Sequence, residues 1–233
     1  MVKNRLEQLK VTHSLYCSDK EGTGTCLVLV TPEGERTMAT YLGVSSLYDK
    51  THIPSQSIAD SKIFHFSGYQ WDTEGQKEAI LSAIQIAKEN NALISFDIAD
   101  PFVVKRNTED FRNLIKKSVD IVFANEQEAF ELYKCSAEDC LDLTGAHITI
   151  VKRGSKGAYI KQQGNPLIKV KPVSTDVLDT TGAGDMFAAG FLFGFSSSLP
   201  LDVCGEYAAT LASDVISGYG ASLSRSVIDR IKR

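Results

Sequence analysis

The chain reads as an α/β protein: a mostly parallel central sheet covered by helices on both faces, with a small β unit ahead of it. Three observations predict this. From residue 63 onward short apolar runs alternate with amphipathic ones, which is the rhythm of a parallel sheet with crossover helices. Before residue 48 two extended runs flank a Pro/Gly turn. Residues 183–195 are apolar almost all round, as a helix in the middle of a protein is. A chain of 233 residues is long enough to bury a substantial core.

Taken in order, GTCLVLV (24–30), the turn Pro32-Glu33-Gly34-Glu35 and RTMATYL (36–42) predict a hairpin. A lone hairpin is marginal in water, so it needs a surface to pack on, as a lid or a dimer contact does. IFHFSG (63–68) is a strand. EGQKEAILSAIQIAKEN (74–90) is an amphipathic helix with Ala79, Ile80, Ala83, Ile84 and Ala87 at helical spacing, and ALISFDI (92–98) is the next strand. TEDFRNLIKK (108–117), VDIVFAN (119–125) and EQEAFELY (126–133) continue as helix, strand and helix, and HITIV (147–151) is a further strand. GAYIKQ (157–162) and LIKVK (167–171) around Gly164-Asn165-Pro166 predict a second hairpin on the sheet edge. After the buried helix, Leu201 to Ser217 and Ser224 to Lys232 predict two more, separated by Gly218-Tyr219-Gly220-Ala221. Gly190 and Gly194 would let a neighbour come close to the buried helix. No internal repeat, low-complexity stretch or long linker interrupts the pattern.

Composition excludes several function classes. Hydrophobic residues make up 43% and charged residues 23%, the balance of an ordinary soluble protein. A net charge of -4 with Lys and Arg scattered among acids argues against a nucleic-acid partner. The five cysteines, Cys17, Cys26, Cys135, Cys140 and Cys204, lack zinc-like spacing, which suits reduced thiols in a cytoplasm. The start MVKNRLEQLK has no apolar signal core, and no run approaches the roughly eighteen apolar residues of a membrane span, so a cytoplasmic location without a membrane partner is expected.

In parallel sheets ligands bind beyond the carboxyl ends of the strands. Asp97 and Asp100, Asn125 and Glu128, and Arg153-Gly154 all fall there. So does the most informative stretch, Asp179-Thr180-Thr181-Gly182-Ala183-Gly184-Asp185, a turn of little side-chain bulk directly before the buried helix. The first amides of such a helix, with roughly half a unit of positive charge from its dipole, form an anion site. A carboxylate at Asp185 beside that site makes sense if it takes a proton from a hydroxyl that attacks a phosphate. The plain alternative is an acid at a helix start and glycines that allow a tight turn. Walker-type and Gly-x-Gly-x-x-Gly motifs are both missing from the sequence.

The segment DTTGAGDMFAAGF resembles the second signature of the ribokinase-like, or phosphofructokinase B, family of sugar and nucleoside kinases. The resemblance implies a three-layer α/β/α sandwich with a small β lid, divided as 1–48, a partial lid and lead-in, and 49–233, the nucleotide-binding and catalytic part. It implies ATP-dependent phosphorylation of a hydroxymethyl group on a sugar or nucleoside of adenosine, ribose or fructose type, with magnesium and potassium as ions and a homodimer through the lid. Asp185 would be the base, and Gly182, Ala183 and Gly184 the anion hole. Asn125-Glu126-Gln127-Glu128 resembles the family's Asn-x-x-Glu motif, whose Asn and Glu help hold magnesium and its waters; alternatively it is a helix start carrying acids that favour the dipole. Lys152-Arg153-Gly154-Ser155-Lys156-Gly157 resembles the Thr-x-Gly-x-x-Gly loop that contacts nucleotide phosphates, with Lys152 in place of the usual Thr; alternatively it is an exposed basic turn. Gly218, Gly220 and Ser224, with Asp179 and Thr181, fall where the family binds a monovalent cation, although a glycine pair between helices also serves as a C-cap. Asp97 either touches a phosphate or metal-bound water or caps a turn. His65 reads as a structurally satisfied histidine, and Trp71 and the Cys135/Cys140 pair give no catalytic arrangement.

The likeness runs from about Gly22 to the C-terminus. Thr23-Gly24-Thr25-Cys26, the strand around Arg36, Gly68-Tyr69, Asn125 to Glu128 and Asp179 to Asp185 stand nearest the adenosine-kinase-like branch. Family members carry a first strand with a substrate-binding Asp and a Gly-Gly motif ahead of this point. The expectation is therefore an N-terminally truncated kinase with its catalytic half intact, whose rival reading is a nucleotide-binding remnant that transfers no phosphate. Missing central strands would expose apolar sheet surface and an unpaired edge, so low solubility or compensating oligomerisation is expected.

Overall fold

The computed structural model describes residues 2–31 and 36–231. A short helix α1 (Val2–Gln8) with no buried residue leads to the strands β1 (Thr23–Val30) and β2 (Arg36–Gly43). These pair antiparallel as a two-stranded sheet of their own, Cys26 opposite Thr40 and Val28 opposite Met38. The turn at residues 32–35 lies outside the described residues. Two 3₁₀ turns, Val44–Leu47 and Lys50–His52, and the short helix α2 (Ser55–Ala59) carry the chain to the main sheet.

That sheet is built from β3 (Ile63–Ser67), α3 (Glu74–Glu89), β4 (Leu93–Asp97), α4 (Pro101–Ser118), β5 (Ile121–Asn125), α5 (Glu126–Tyr133), α6 (Ala137–Leu143), β6 (Ile148–Lys152), β7 (Ala158–Gln162) and β8 (Ile168–Val170). Its six strands lie in sequence order; β3 to β6 run parallel, β7 turns back antiparallel to β6, and β8 pairs antiparallel with β7 as the expected edge hairpin. The helices α7 (Ala183–Ser196), α8 (Leu201–Ile216) and α9 (Arg225–Ile231) follow.

Period-two alternation along the strands divides the core into two faces. Phe66, Ile94, Phe96, Val122 and Ala124 pack with α3, α4 and α5, whereas Ile121, Phe123, Ile148 and Ile150 pack against Phe187 and Phe191 of α7 and Ala208 of α8. Helices on both faces of a mostly parallel sheet make the expected three layers. On the first face Phe111 is fully buried, its ring 5.1 Å from Phe96 at 80°. On the second, Gly190 and Gly194 admit α8: a Cβ on Gly190 would lie 2.8 Å from the Ala208 Cα, and one on Gly194 3.1 Å from the Cys204 Sγ.

The elements differ from expectation in a few places. The helix expected at 108–117 starts at Pro101, because Asp100 caps it by accepting from the amides of Phe102 and Val103, and proline fits a first helical position. The anticipated start coincides with a kink, where Asn107 has φ −128°. Helices α1, α2 and α6 were not anticipated; with five to seven residues each they are too short to show a helical period. The last helix ends at Ile231 within the described residues, and Lys232 lies outside them.

Candidate active site

Register brings the candidate residues together. Asp97 ends β4, Asn125 ends β5 opposite Lys152, and Lys152 ends β6. Asn125 and Lys152 stand two residues beyond Phe123 and Ile150, which pack against α7, and Asp97 is paired with Phe123 across the sheet, so all three share the α7 face. Strands β4 and β6 are two places apart, about 9.5 Å, a gap that the long stem of a lysine and the short one of an aspartate close together. The Lys152 Nζ donates to both Asp97 carboxylate oxygens, at 2.8 and 3.2 Å, and the two side chains are 15% and 8% exposed. Burial alone would depress the Lys152 ammonium, but Asp97, Glu128 and Asp185 around it outweigh burial and hold its pKa above the usual lysine value. Asp97 also accepts from the Ala99 amide at 3.1 Å, the turn role that the sequence allowed.

Asn125 caps α5 as the sequence allowed. Its side-chain oxygen accepts from the Glu128 amide at 2.8 Å, while the Glu128 carboxylate accepts from the Asn125 amide at 2.7 Å and its carboxamide at 2.6 Å. Glu128 is 2% exposed, and its burial pushes its pKa up to about 7 against the pull of Lys152. Both motif residues therefore stand at the ligand edge with their mutual bonds directed at each other.

Across from this wall, α7 begins at Gly182, whose φ of 79° is a left-handed conformation suited to glycine. A side chain there would also press on Ala221. The first intrahelical bond is Met186 N to Gly182 O, so the amides of Ala183, Gly184 and Asp185 precede the ladder, and that of Ala183 turns to Thr180 O at 3.3 Å. Gly184 leaves the space in which the Lys152 Nζ lies, 3.2 Å from where a Cβ would stand. Asp185 remains open to solvent, yet the protein around its base and then the Asp97 carboxylate raise its pKa above the ordinary range, against the pull of Lys152 and His65. Its carboxylate thus faces the charged wall at the carboxyl edge of the sheet rather than the apolar core.

The loop after β6 commits much of its hydrogen bonding to itself. The amides of Arg153, Lys156 and Gly157 bond to Gly157, Arg153 and Gly154 carbonyls, and the Arg153 guanidinium bonds Glu126 at 2.9 Å while lying 4.1 Å over the Tyr159 ring. Gly154 and Gly157 take φ of 56° and 83°, and a Cβ on Gly157 would collide with the Val170 carbonyl. Asp179, Thr181 and Gly220 do assemble: Asp179 accepts from the Thr181 amide and hydroxyl at 2.9 and 2.6 Å and from the Gly220 amide at 2.9 Å. Ser224 instead gives its amide and hydroxyl to Asp214, at 2.7 and 2.6 Å, and caps α9. Gly218 closes the end of α8 through Val215 O.

Sequence reasoning missed the Lys152–Asp97 pair. The signal was available only as two strand-end residues on a common face, which requires knowing that one strand lies between them. His65 is satisfied as expected, by Ser95 at 3.0 Å, and it also stands near Asp97 and Asp185. Among the described residues no three His, Cys, Asp or Glu side chains gather as a metal cage, and no helix is long and apolar enough to cross a membrane.

The three-layer α/β/α sandwich with its mostly parallel sheet belongs to the ribokinase-like class of folds. The model of the pfkB family of carbohydrate kinases matches residues 1–227, and the chain belongs to that family. The match reaches ahead of Gly22, where the motif likeness starts. A sugar kinase of unassigned substrate from Archaeoglobus fulgidus is 33% identical over 211 residues, 88% of this chain and 82% of its own length. The crystal structure of a probable sugar kinase from Rhizobium etli superposes with a TM-score of 0.94 at 33% identity, covering 99% of this chain and 71% of that one. An adenosine kinase from Sinorhizobium meliloti gives 0.94 at 32%, covering 99% and 72%.

Proposed function

We propose that this member of the family transfers the γ-phosphoryl group of ATP to a hydroxymethyl group of a sugar or nucleoside. The observation that carries the reading is the placement of Asp185: on the first turn of α7, open to solvent, next to the residue 183–185 amides and opposite Lys152 and Asp97. The amides of that turn, with no bulky side chain on Gly184, receive the phosphate; Asp185 orients the acceptor hydroxyl and takes its proton late in the transfer. A raised carboxyl pKa brings Asp185 nearer to that task than an ordinary aspartate. Magnesium, which keeps most of its waters, would stand near Glu128 and Asn125 and neutralise charge on the phosphates; because the two residues bond each other, contact through a metal-bound water fits them best. Asp179, Thr181 and Gly220 form the candidate monovalent-cation corner, and Ser224 lies with Asp214 instead.

The β1–β2 hairpin serves as a lid in this reading, separate from the catalytic part. Leu27, Leu29, Met38 and Tyr41 on it are 49–64% exposed, which supports pairing of two copies through it. Five free cysteines support a cytoplasmic setting. The test is ATP consumption against adenosine, ribose, fructose and related acceptors, with Asp185→Asn alongside. Turnover lost in the variant with ATP binding retained supports the proposal, and near-native turnover refutes the role of Asp185. The rival reading is nucleotide binding without transfer; ATP binding with no turnover on any acceptor would favour it.

A further inference from the structure

We propose that the Lys152 ammonium contacts the phosphoryl group in transfer, closing from the sheet side the anion site that the amides of residues 183–185 open from the helix side. The inference rests on the kinase reading above and adds a catalytic side chain to it. Three observations meet at this residue. Leaving aside the chain neighbours of Gly184 and the backbone of its own helix turn, the Lys152 Nζ is, among the described residues, the only atom within 4 Å of the position a Gly184 Cβ would take, so the ammonium occupies the space in front of the turn that glycine leaves. Both of its hydrogen bonds, at 2.8 and 3.2 Å, go to one carboxylate, Asp97, whereas an ammonium carries three donors. The neighbouring cations are turned elsewhere: Arg153 and Lys156 both reach Glu126, at 2.9 and 3.6 Å.

Charge makes the same point. Asp97, Glu128 and Asp185 surround Lys152. A polyphosphate approaching three carboxylates needs cations inside that wall, and Lys152 is buried in it with its stem fixed by β6. In the transfer an acceptor oxygen lone pair forms the new bond to phosphorus while the bond from phosphorus to the β–γ bridging oxygen breaks. The electron pair of that bond leaves with ADP, and the acceptor proton passes to Asp185. Lys152 keeps its proton throughout and steadies the phosphoryl oxygens.

Because ADP lacks the group that Lys152 touches, the test is a pair of affinities. Magnesium-ATP and magnesium-ADP are titrated calorimetrically into wild type, Lys152→Met, Lys152→Arg and Asp97→Asn. One charge-assisted hydrogen bond corresponds to about 10- to 100-fold in affinity. Lys152→Met is expected to lose about that much for ATP and little for ADP, with Lys152→Arg recovering most of the difference. Lys152→Gln, which leaves a donor for Asp97, carries the same expectation should the Met variant not fold. Asp97→Asn is expected to keep the preference for ATP; if it reproduces the lysine variants, Lys152 acts only by holding Asp97 and the proposal is overturned. Equal losses for ATP and ADP, or none, overturn it as well while leaving the kinase reading intact. Wild type that binds neither nucleotide brings down the kinase reading and this proposal together.

Discussion

Replacing Gly190 with alanine tests whether the helix that carries Asp185 is seated as described. The new Cβ would lie 2.8 Å from the Ala208 Cα and from the Tyr207 carbonyl oxygen and 2.9 Å from the Ala208 amide nitrogen, where ordinary contact starts at 3.4 Å. All three neighbours are backbone of α8, which no rotamer change can move aside. The two helices must separate by roughly 0.6 Å, which loosens the contacts of Phe191 and Ala208, both fully buried, with a loss of dispersion energy along the whole seam. Overpacking of this kind costs about 1–3 kcal/mol. Alanine returns up to about 1 kcal/mol through its higher helix propensity. Because all three clashes are with backbone and under 3.0 Å, the cost falls in the upper part of that range, about 2–3 kcal/mol, and the net expectation is a destabilisation of about 1–2 kcal/mol, or a melting temperature lower by roughly 2–8 °C for a chain of this size. Differential scanning calorimetry of both proteins measures it. A melting temperature equal to or above wild type would mean that α7 and α8 do not approach backbone to backbone, and the placement of Asp185 would lose its foundation.

Two further outcomes follow from the wall of the site and from the opposite core. Burial raises the Glu128 carboxyl to about 7 from an ordinary value of 4.5, so folding favours its protonated form. Its contribution is fully present below about pH 4.5 and is lost as the pH rises through about 7, amounting to roughly 3 kcal/mol at most. Glu128→Gln, measured by urea unfolding from pH 5 to pH 8, should flatten the decline relative to wild type, and an unchanged slope would remove Glu128 as its cause. Phe111→Ala should cost about 3–5 kcal/mol, because the ring is fully buried against Phe96 and Trp71. The single tryptophan makes it visible: Trp71, 6% exposed and bonded to Asp110, should shift its emission to the red, and an unshifted spectrum would contradict the packing.

How far the sequence carried the fold depended on length of pattern. Residues 126–133 were placed without error, since Asn125 and Glu128 form a capping box ahead of Ala129 and Leu132, a local signal complete within eight residues. The linear pattern starts the helix only at Thr108, since Asp100-Pro101 suits a turn as well as a helix start; the bonds that Asp100 accepts from the amides of Phe102 and Val103 distinguish a capped helix from a turn. The short helices α2 and α6 hold only Ile58 and the pair Cys140 and Leu141 in the core, too few buried positions to mark a period.

The site divides along the same line. Asp185 and the glycines before it lie within one stretch of chain, so their spacing is the geometry, and a linear reading suffices. Asp97 and Lys152 are 55 residues apart, and their meeting depends on which strands are neighbours, which face each residue takes and how far a lysine reaches. Lys152, in place of the usual Thr, and Arg153 both fall in the stretch that resembles a phosphate-contacting loop, and the linear pattern does not tell them apart. Strand alternation turns Lys152 inward to Asp97 and Gly184, and it sends Arg153 outward to Glu126 and the Tyr159 ring. Of two adjacent cations at a strand end, the one in phase with the core-facing residues Ile148 and Ile150 is the one that reaches the first turn of α7.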